Sequence, residues 1–362
     1  MERNRHILLV PSYIEIRNSD WCGIAGRLRD AEGIGMSTYL AEIFPAAYRT
    51  CFKTAEKRAE LVSEIRLRTA QPTILMEGTR EYFLREDGAY TEDMALAWRP
   101  DRQALKEIVS HLCQYSLYAY EDELRQGYIT IEGGHRVGFA GQTVQESTGA
   151  VRTIKHISAI NIRIAHQILK AADPVLPYVY TKGAIRNTLI VSPPGCGKTT
   201  LLRDLVRQIS GGSCYGPGRT VGIVDERSEI AGCYMGQPQN DLGPRSDVLD
   251  ACPKALGMMM LLRSMSPAVL AVDELGSAEE IRALRTASSC GVSLVATVHG
   301  MDMQDVQSKP EMGALLSEGI FTCILVLGRD RQGRCRVRQV LHRRRSSGIW
   351  EEVAGDAKGI GI

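Results

Sequence analysis

The stretch LIVSPPGCGKTTLLRDL, residues 189–205, constrains the fold more than any other part of this chain. Thr188 to Val191 reads as a short buried strand, and Pro193 and Pro194 stiffen the exit from it. Leu201, Leu202, Leu205, Val206 and Ile209 then recur at the spacing of one helix face. A strand that turns through glycines straight into a helix gathers backbone N–H groups and the positive end of the helix dipole at the turn. Gly195 and Gly197 permit the dihedrals and close approach that such a turn needs. Downstream, NTLIVS, TVGIVDE, PAVLAVDE, SLVATVH and TCILVLG alternate with helical stretches. That alternation predicts an α/β fold whose parallel sheet carries helices on both faces. Ligands of such sheets lie at the carboxyl ends of the strands, where the polar residues of interest here fall.

The turn matches the phosphate-binding pattern G-x-x-x-x-G-K-[ST], with Ser192 in place of the first glycine. Ser192, Pro193, Pro194, Gly195, Cys196, Gly197, Lys198, Thr199 and Thr200 are the expected nucleotide-binding loop, for ATP with Mg²⁺. Lys198 would bring a full charge to the outer phosphates, and the Thr199 hydroxyl would coordinate Mg²⁺. Cys196 is expected to be a small filler. AVLAVDEL is an apolar strand ending in acids: Asp273 would hold the Mg²⁺ shell and Glu274 would polarise the attacking water. IVDERSE ends a second strand in acids, with Glu229 a catalytic candidate. The other reading there is a solvated turn in which Arg227 pairs Glu226 or Glu229. Thr297 and His299 are two apart on a third strand, hence on one side of it, and would sense the γ-phosphate. Phosphoryl transfer also gains from an arginine at the transition-state charge, often from a neighbouring subunit. Arg263 joins the expected catalytic set on that ground, beside Arg245, Arg282 and Arg285, and each of these also reads as a surface ion-pair partner.

The chain has 362 residues, enough for two domains. Its net charge of +2 and 6% aromatic content give no reason to expect a nucleic-acid partner. Ten cysteines lie scattered through apolar stretches without C-x-x-C spacing, which favours reduced thiols of a cytosolic protein over disulfides. No apolar run approaches the ~20 residues of a membrane span, so any membrane role would be peripheral. Residues 1–35 read as a poorly ordered extension, with Met36 an alternative start. Residues 36–168 read as a smaller mixed α/β domain, with EIRLR a strand, ILME and EYFLR a hairpin, and YITIEGGHRVGFAG two strands about Gly133-Gly134. Asp101 would cap a helix burying Leu105, Ile108, Val109 and Leu112. KAADPVLPYV reads as a link into the nucleotide domain at 169–345, and 346–362 as a tail. DRQG would turn a hairpin into CRVRQVL, an edge strand with solvated arginines; Arg343 to Arg345 would stay solvated or touch anionic lipid.

The order of these elements resembles the secretion ATPases of type II, type IV and pilus systems, with a Walker A loop, an Asp box, a Walker B strand and a His box. A narrower resemblance is to the stage III sporulation protein AA family. It is carried by EIRLR at 64–68, GGHRVGFAG at 133–141, NIRIA at 161–165, VGIVDERSEIAG at 221–232 and RSDVLDACPKALGMMMLLRSMSP at 245–267. The resemblance runs from about Met36 to the mid-340s. It implies a RecA-like P-loop ATPase core in a hexameric ring. It implies a mother-cell cytoplasmic motor of an endospore former, peripheral to the engulfed forespore membrane. Other stage III membrane proteins would be its partners in a secretion-like channel. In the related motors an N-terminal domain packs over the nucleotide and can supply arginines; Arg66, Arg68, Arg136 and Arg163 lie in the matching motifs, where structural pairing within strands is the equal alternative. A nucleic-acid translocase and an ATP-binding assembly factor without turnover are the competing functions.

Overall fold

The structure is a computed structural model that describes residues 40–116, 120–125, 127–147, 149, 151–344 and 346–361. The expectations for residues 1–35, for Met36 and for Arg345 lie outside the described residues.

Two large sheets organise the chain. The first uses β1 (Val62–Arg68), β2 (Ile74–Glu77), β3 (Arg80–Leu84), β4 (Tyr90–Thr91), β5 (Tyr128–Thr130), β6 (Arg136–Gln145) and β7 (Val151–Arg163). Its order is β4-β3-β2-β1-β7-β6-β5, with every neighbouring pair antiparallel. The hairpins expected at 74–84 and 128–141 are present. Helices α1 (Arg49–Lys57), α2 (Arg102–Leu112) and α3 (Glu121–Arg125) accompany this sheet. Asp101 caps α2 as expected, its Oδ1 accepting from the Ala104 N–H at 2.7 Å. The buried face of α2, Leu105, Ile108, Val109 and Leu112, closes one core with Ile65, Leu67, Val137 and Ile162.

Next come α4 (Leu176–Val179) and the short hairpin β8 (Tyr180–Thr181) and β9 (Ala184–Ile185). The second large sheet adds β10 (Thr188–Ser192), β11 (Val221–Asp225), β12 (Ser246–Asp250), β13 (Val269–Val272), β14 (Ser293–His299), β15 (Cys323–Arg329), β16 (Cys335–Arg343) and β17 (Trp350–Gly361). Its helices are α5 (Lys198–Gly211), α6 (Lys254–Ser264), α7 (Ala278–Ser289), α8 (Met303–Ser308) and α9 (Pro310–Ser317). The order is β12-β11-β13-β14-β10-β15-β16-β17. All pairs from β12 to β15 are parallel, and the last two are antiparallel. Alternate residues of β10 serve different cores: Ile190 packs with Leu201, Leu205 and Ile209 of α5, whereas Leu189 and Val191 pack with Ile281 and Leu284 of α7. A strand buried on both faces reads as an unbroken apolar run, which is why β10, β11, β13, β14 and β15 were visible in the sequence, whereas β12, half-buried along its length, was not.

Three expectations need correction. Residues 170–179 are not a link: Ala172, Val175, Leu176 and Val179 are buried in the core under α5, and the Ala172 N–H donates to the buried Asp204 Oδ2 at 2.8 Å. Pro177 falls in the first turn of α4, where its missing N–H costs nothing. The segment CRVRQVL is not an edge strand, because β17 pairs along its free side. Residues 346–362 are accordingly more than a tail, since most of them form β17.

His135, buried beside the β5–β6 turn, gives a pH prediction. Its Nδ1 accepts from the Ala165 N–H at 3.0 Å, so its proton is on Nε2, which has no hydrogen-bond partner among the described residues. Burial, with His166 nearby, pulls its pKa down to about 4. An unfolded histidine takes a proton near pH 6.5. The stability this group contributes is therefore complete above that pH and is lost as pH falls towards 4, by roughly 3 kcal/mol. His135→Asn keeps an acceptor at the Nδ1 place; urea unfolding at pH 7.5 and 4.5 should show a smaller acid loss for this variant than for the parent. Equal losses would mean that His135 is not a source of the acid sensitivity.

Candidate nucleotide site

The loop after β10 takes its shape from two left-handed glycines, Gly195 with φ 68° and Gly197 with φ 81°. Gly197 is the N-cap of α5 and no side chain caps that helix, so its first-turn N–H groups lack a side-chain acceptor. Ser192 keeps an ordinary strand conformation at full burial, and its Oγ donates to the Pro193 carbonyl at 2.8 Å. The usual glycine is therefore not demanded there. Cys196 is buried, as a filler should be. Outside the loop, the Gly195 carbonyl accepts from Arg329 Nη2 at 2.7 Å, and the Cys335 thiol lies 3.6 Å from the same oxygen.

Parallel register brings the polar strand ends together. Ser192 is opposite His299 across β10 and β14, and Val272 is opposite Ala296 across β13 and β14. Asp273 therefore emerges beside Thr297. The Thr297 Oγ1 donates to Asp273 Oδ1 at 2.8 Å, and the Glu274 N–H meets both Asp273 Oδ1 and Thr297 Oγ1 at 2.9 Å. Lys198, at the start of α5, holds the acids from the loop side, with Nζ 3.3 Å from Asp273 Oδ1 and 3.6 Å from Glu274 Oε2. His299 Nε2 lies 3.2 Å from Glu274 Oε1, and its Nδ1 is 3.3 Å from the Ser192 carbonyl. Thr297 and His299 do share one side of β14, and both touch the Asp273-Glu274 pair. Glu274 has φ 35°, a left-handed conformation for a non-glycine residue, which costs about 1–3 kcal/mol unless its surroundings hold it.

The second acidic strand end has another task. Asp225 is buried, and its two oxygens accept from the N–H groups of Glu229, Ile230 and Ala231 at 2.8 to 2.9 Å. Burial pushes its pKa up to about 6. Arg203 from α5 donates to the Glu229 and Ile230 carbonyls. The Glu229 carboxylate is 3.8 Å from Arg136 of the first sheet, and the structure does not bring it to Lys198. Asp225→Ala would leave several buried donors without acceptors, so it should lower unfolding free energy by roughly 3–5 kcal/mol. Guanidinium denaturation checks this, and a loss below about 1 kcal/mol would remove Asp225 as the clasp of this turn.

The arginines divide. Arg263 is exposed at the far end of α6 from the acid cluster, about 14 Å along the helix from Lys254, so it is not part of this chain's own cluster. Arg245 donates to the Ser210 carbonyl at 2.8 Å, Arg285 makes a two-pronged contact with Glu318, and Arg282 faces Glu279 at 3.8 Å. Arg66 and Arg163 both address Glu64, the structural alternative for these two. Arg136 reaches between the sheets, donating to the Arg227 carbonyl at 2.6 Å while lying 4.2 Å over the Tyr128 ring. Arg227 pairs neither acid through its side chain among the described contacts; Glu226 meets Lys254 instead, at 3.1 Å. Lys254 and Arg329 are the residues that sequence reading missed. A lysine in the first turn of a helix, against the dipole, was the available signal for Lys254. Beside Glu226 a cavity of about 570 Å³ opens between the two sheets, lined by Tyr120, Tyr128, Tyr234, Ser228 and Asp250.

This mixed α/β chain has the fold of the ATPase DotB. It superposes on the ATPase DotB of Yersinia pseudotuberculosis with a TM-score of 0.54 at 15% identity, covering 84% of this chain and 81% of the other. For the ATPase DotB of Legionella pneumophila the TM-score is 0.51 at 15% identity, covering 81% and 80%. Within that fold the chain belongs to the family described as Sporulation stage III, protein AA, which it matches over residues 37–347. It is 43% identical over 291 residues to Stage III sporulation protein AA of Bacillus subtilis (strain 168), covering 80% of this chain and 90% of the relative. No helix among the described residues is long and apolar enough to cross a membrane.

Proposed function

We propose that the chain hydrolyses Mg·ATP as a ring-forming motor for a secretion-like channel in endospore formation. The observation that carries this reading is the convergence of Lys198, Asp273, Glu274, Thr297 and His299 beside an uncapped helix N-terminus. The donor set suits a nucleotide with its metal. The loop N–H groups and Lys198 would bind the phosphate chain. Thr199 and Asp273 would hold Mg²⁺, which usually takes one or two protein oxygens and completes its shell with phosphate and water. The bound metal would supply neutralisation of charge developing on the phosphate oxygens. Glu274, once Lys198 turns to phosphate, would accept a proton from the attacking water, and His299 would hold the Glu274 carboxylate in place. Thr297 would fix Asp273. Residues 36–168 and 169–345 would act as two domains, with Arg136 joining them at the Glu229 turn.

The family and the secretion-ATPase fold support the motor role, a hexameric ring, other stage III membrane proteins as partners, and a peripheral position at the mother-cell face of the forespore membrane. Arg263 would contribute only from a neighbouring copy, given its place on α6. Phosphate release from Mg·ATP across a protein dilution series tests the reading. Specific activity that rises with protein concentration is expected of sites shared between subunits. Turnover that is independent of concentration sinks the ring. Binding without turnover at any concentration leaves an assembly factor.

A further inference from the structure

Lys254 opens α6 directly after Pro253, with no acidic residue in that first turn. A cation there opposes the helix dipole. A nearly buried residue that breaks a local preference is held by contacts from elsewhere, and the Lys254 side chain is 12% exposed. Its Nζ donates to the Glu274 backbone carbonyl at 2.9 Å. It also lies 3.1 Å from Glu226 Oε2 and 3.6 Å from Glu280 Oε1. Those partners belong to the turn after β13, the turn after β11 and the first turn of α7.

The contact with Glu274 is to its backbone, and that backbone is left-handed. Such a residue persists only where the groups around it over-determine its conformation. Asp273 and Thr297 fix the N–H of Glu274; Lys254 fixes its carbonyl. The torsion at Glu274 sets the direction in which its side chain leaves the chain. We propose that Lys254 is a positioning residue whose ammonium holds the Glu274 peptide and so aims the Glu274 carboxylate between Lys198 and His299. Glu226 lines the cavity between the sheets, so the same ammonium ties the Glu274 turn to the face where the first sheet packs. The rate consequence rests on the hydrolytic reading of the site; the structural consequence does not.

The test uses the full chain with ring-¹⁵N-labelled histidine, its His299 resonance assigned through His299→Gln. Lys254→Met, Lys254→Arg and Glu274→Gln are compared with the parent. Lys254→Met should move the His299 resonance towards its position in Glu274→Gln. Lys254→Arg, which can still donate to the carbonyl, should restore most of the parent position. In ATP turnover, Lys254→Met should lower kcat about tenfold or more with KM changed less than about threefold, the pattern of a lost transition-state arrangement. The active fraction is counted from nucleotide-binding stoichiometry, so a merely unstable variant does not imitate this split. A His299 resonance left at the parent position by Lys254→Met overturns the proposal. If the resonance moves while the parent protein shows no turnover, the positioning role stands and the hydrolytic reading falls.

Discussion

Lys198→Ala should reduce ATP turnover about a hundredfold or more, the scale for loss of one preorganised charge at a developing anion. Nucleotide affinity should fall as well, because Lys198 would face phosphate in both the bound and the reacting state. The variant also removes the shared cation of Asp273 and Glu274, whose side chains are 14% and 38% exposed. Two carboxylates left without that cation repel each other, so the unfolding midpoint must be measured beside the rate. A folded variant that turns over ATP like the parent would show that the loop with Ser192 is not the hydrolytic site.

Glu274→Gln should separate binding from chemistry. Glutamine keeps an oxygen for His299 and nearly the same volume, but it is not a base near neutral pH. Removal of a positioned general base typically lowers rates 10²- to 10⁴-fold, so a loss of about that size in kcat is expected. Nucleotide binding, measured with a fluorescent ATP analogue, should stay within about threefold, since Lys198 and the loop N–H groups are untouched. Turnover that survives in Glu274→Gln would move the base role to another carboxylate, with Asp273 next in line by its contact with Lys198.

The parts of the fold and of this site that were legible in the sequence share one property: their requirements are local. Gly195 and Gly197 are fixed by the dihedrals of the turn, Asp101 by a cap within its own helix, and the β10 run by burial on both faces. Thr297 and His299 followed from the period of a strand. What was not legible depends on register between strands far apart in the chain. Glu226 and Glu229 are three residues apart, yet one meets Lys254 of α6 and the other Arg136 of the first sheet. The assignment of Glu229 to the cluster failed for that reason. Arg263 was one of four candidate arginines, and α6 places it away from this chain's own acid cluster, which leaves only the role from a neighbouring copy. The prolines near 174–177 looked like a linker because composition does not show that Ala172 and Val175 are buried under α5. The strand at 350–361 escaped notice because GDAKGIGI has little β-forming character without β16 to pair with.

The bond from Arg329 to the Gly195 carbonyl makes the phosphate loop the tip of a longer lever. Arg329 ends β15, and β15 is paired to β16 and through it to β17. The loop is therefore clamped from behind by the antiparallel end of the sheet, well removed in sequence from the motif itself. A loop held near its ligand-bound shape surrenders little freedom when an anion arrives. On the proposed reading of the site, that clamp would show as slow nucleotide release more than fast capture, and release would be the step that a shift of β15, β16 and β17 tunes.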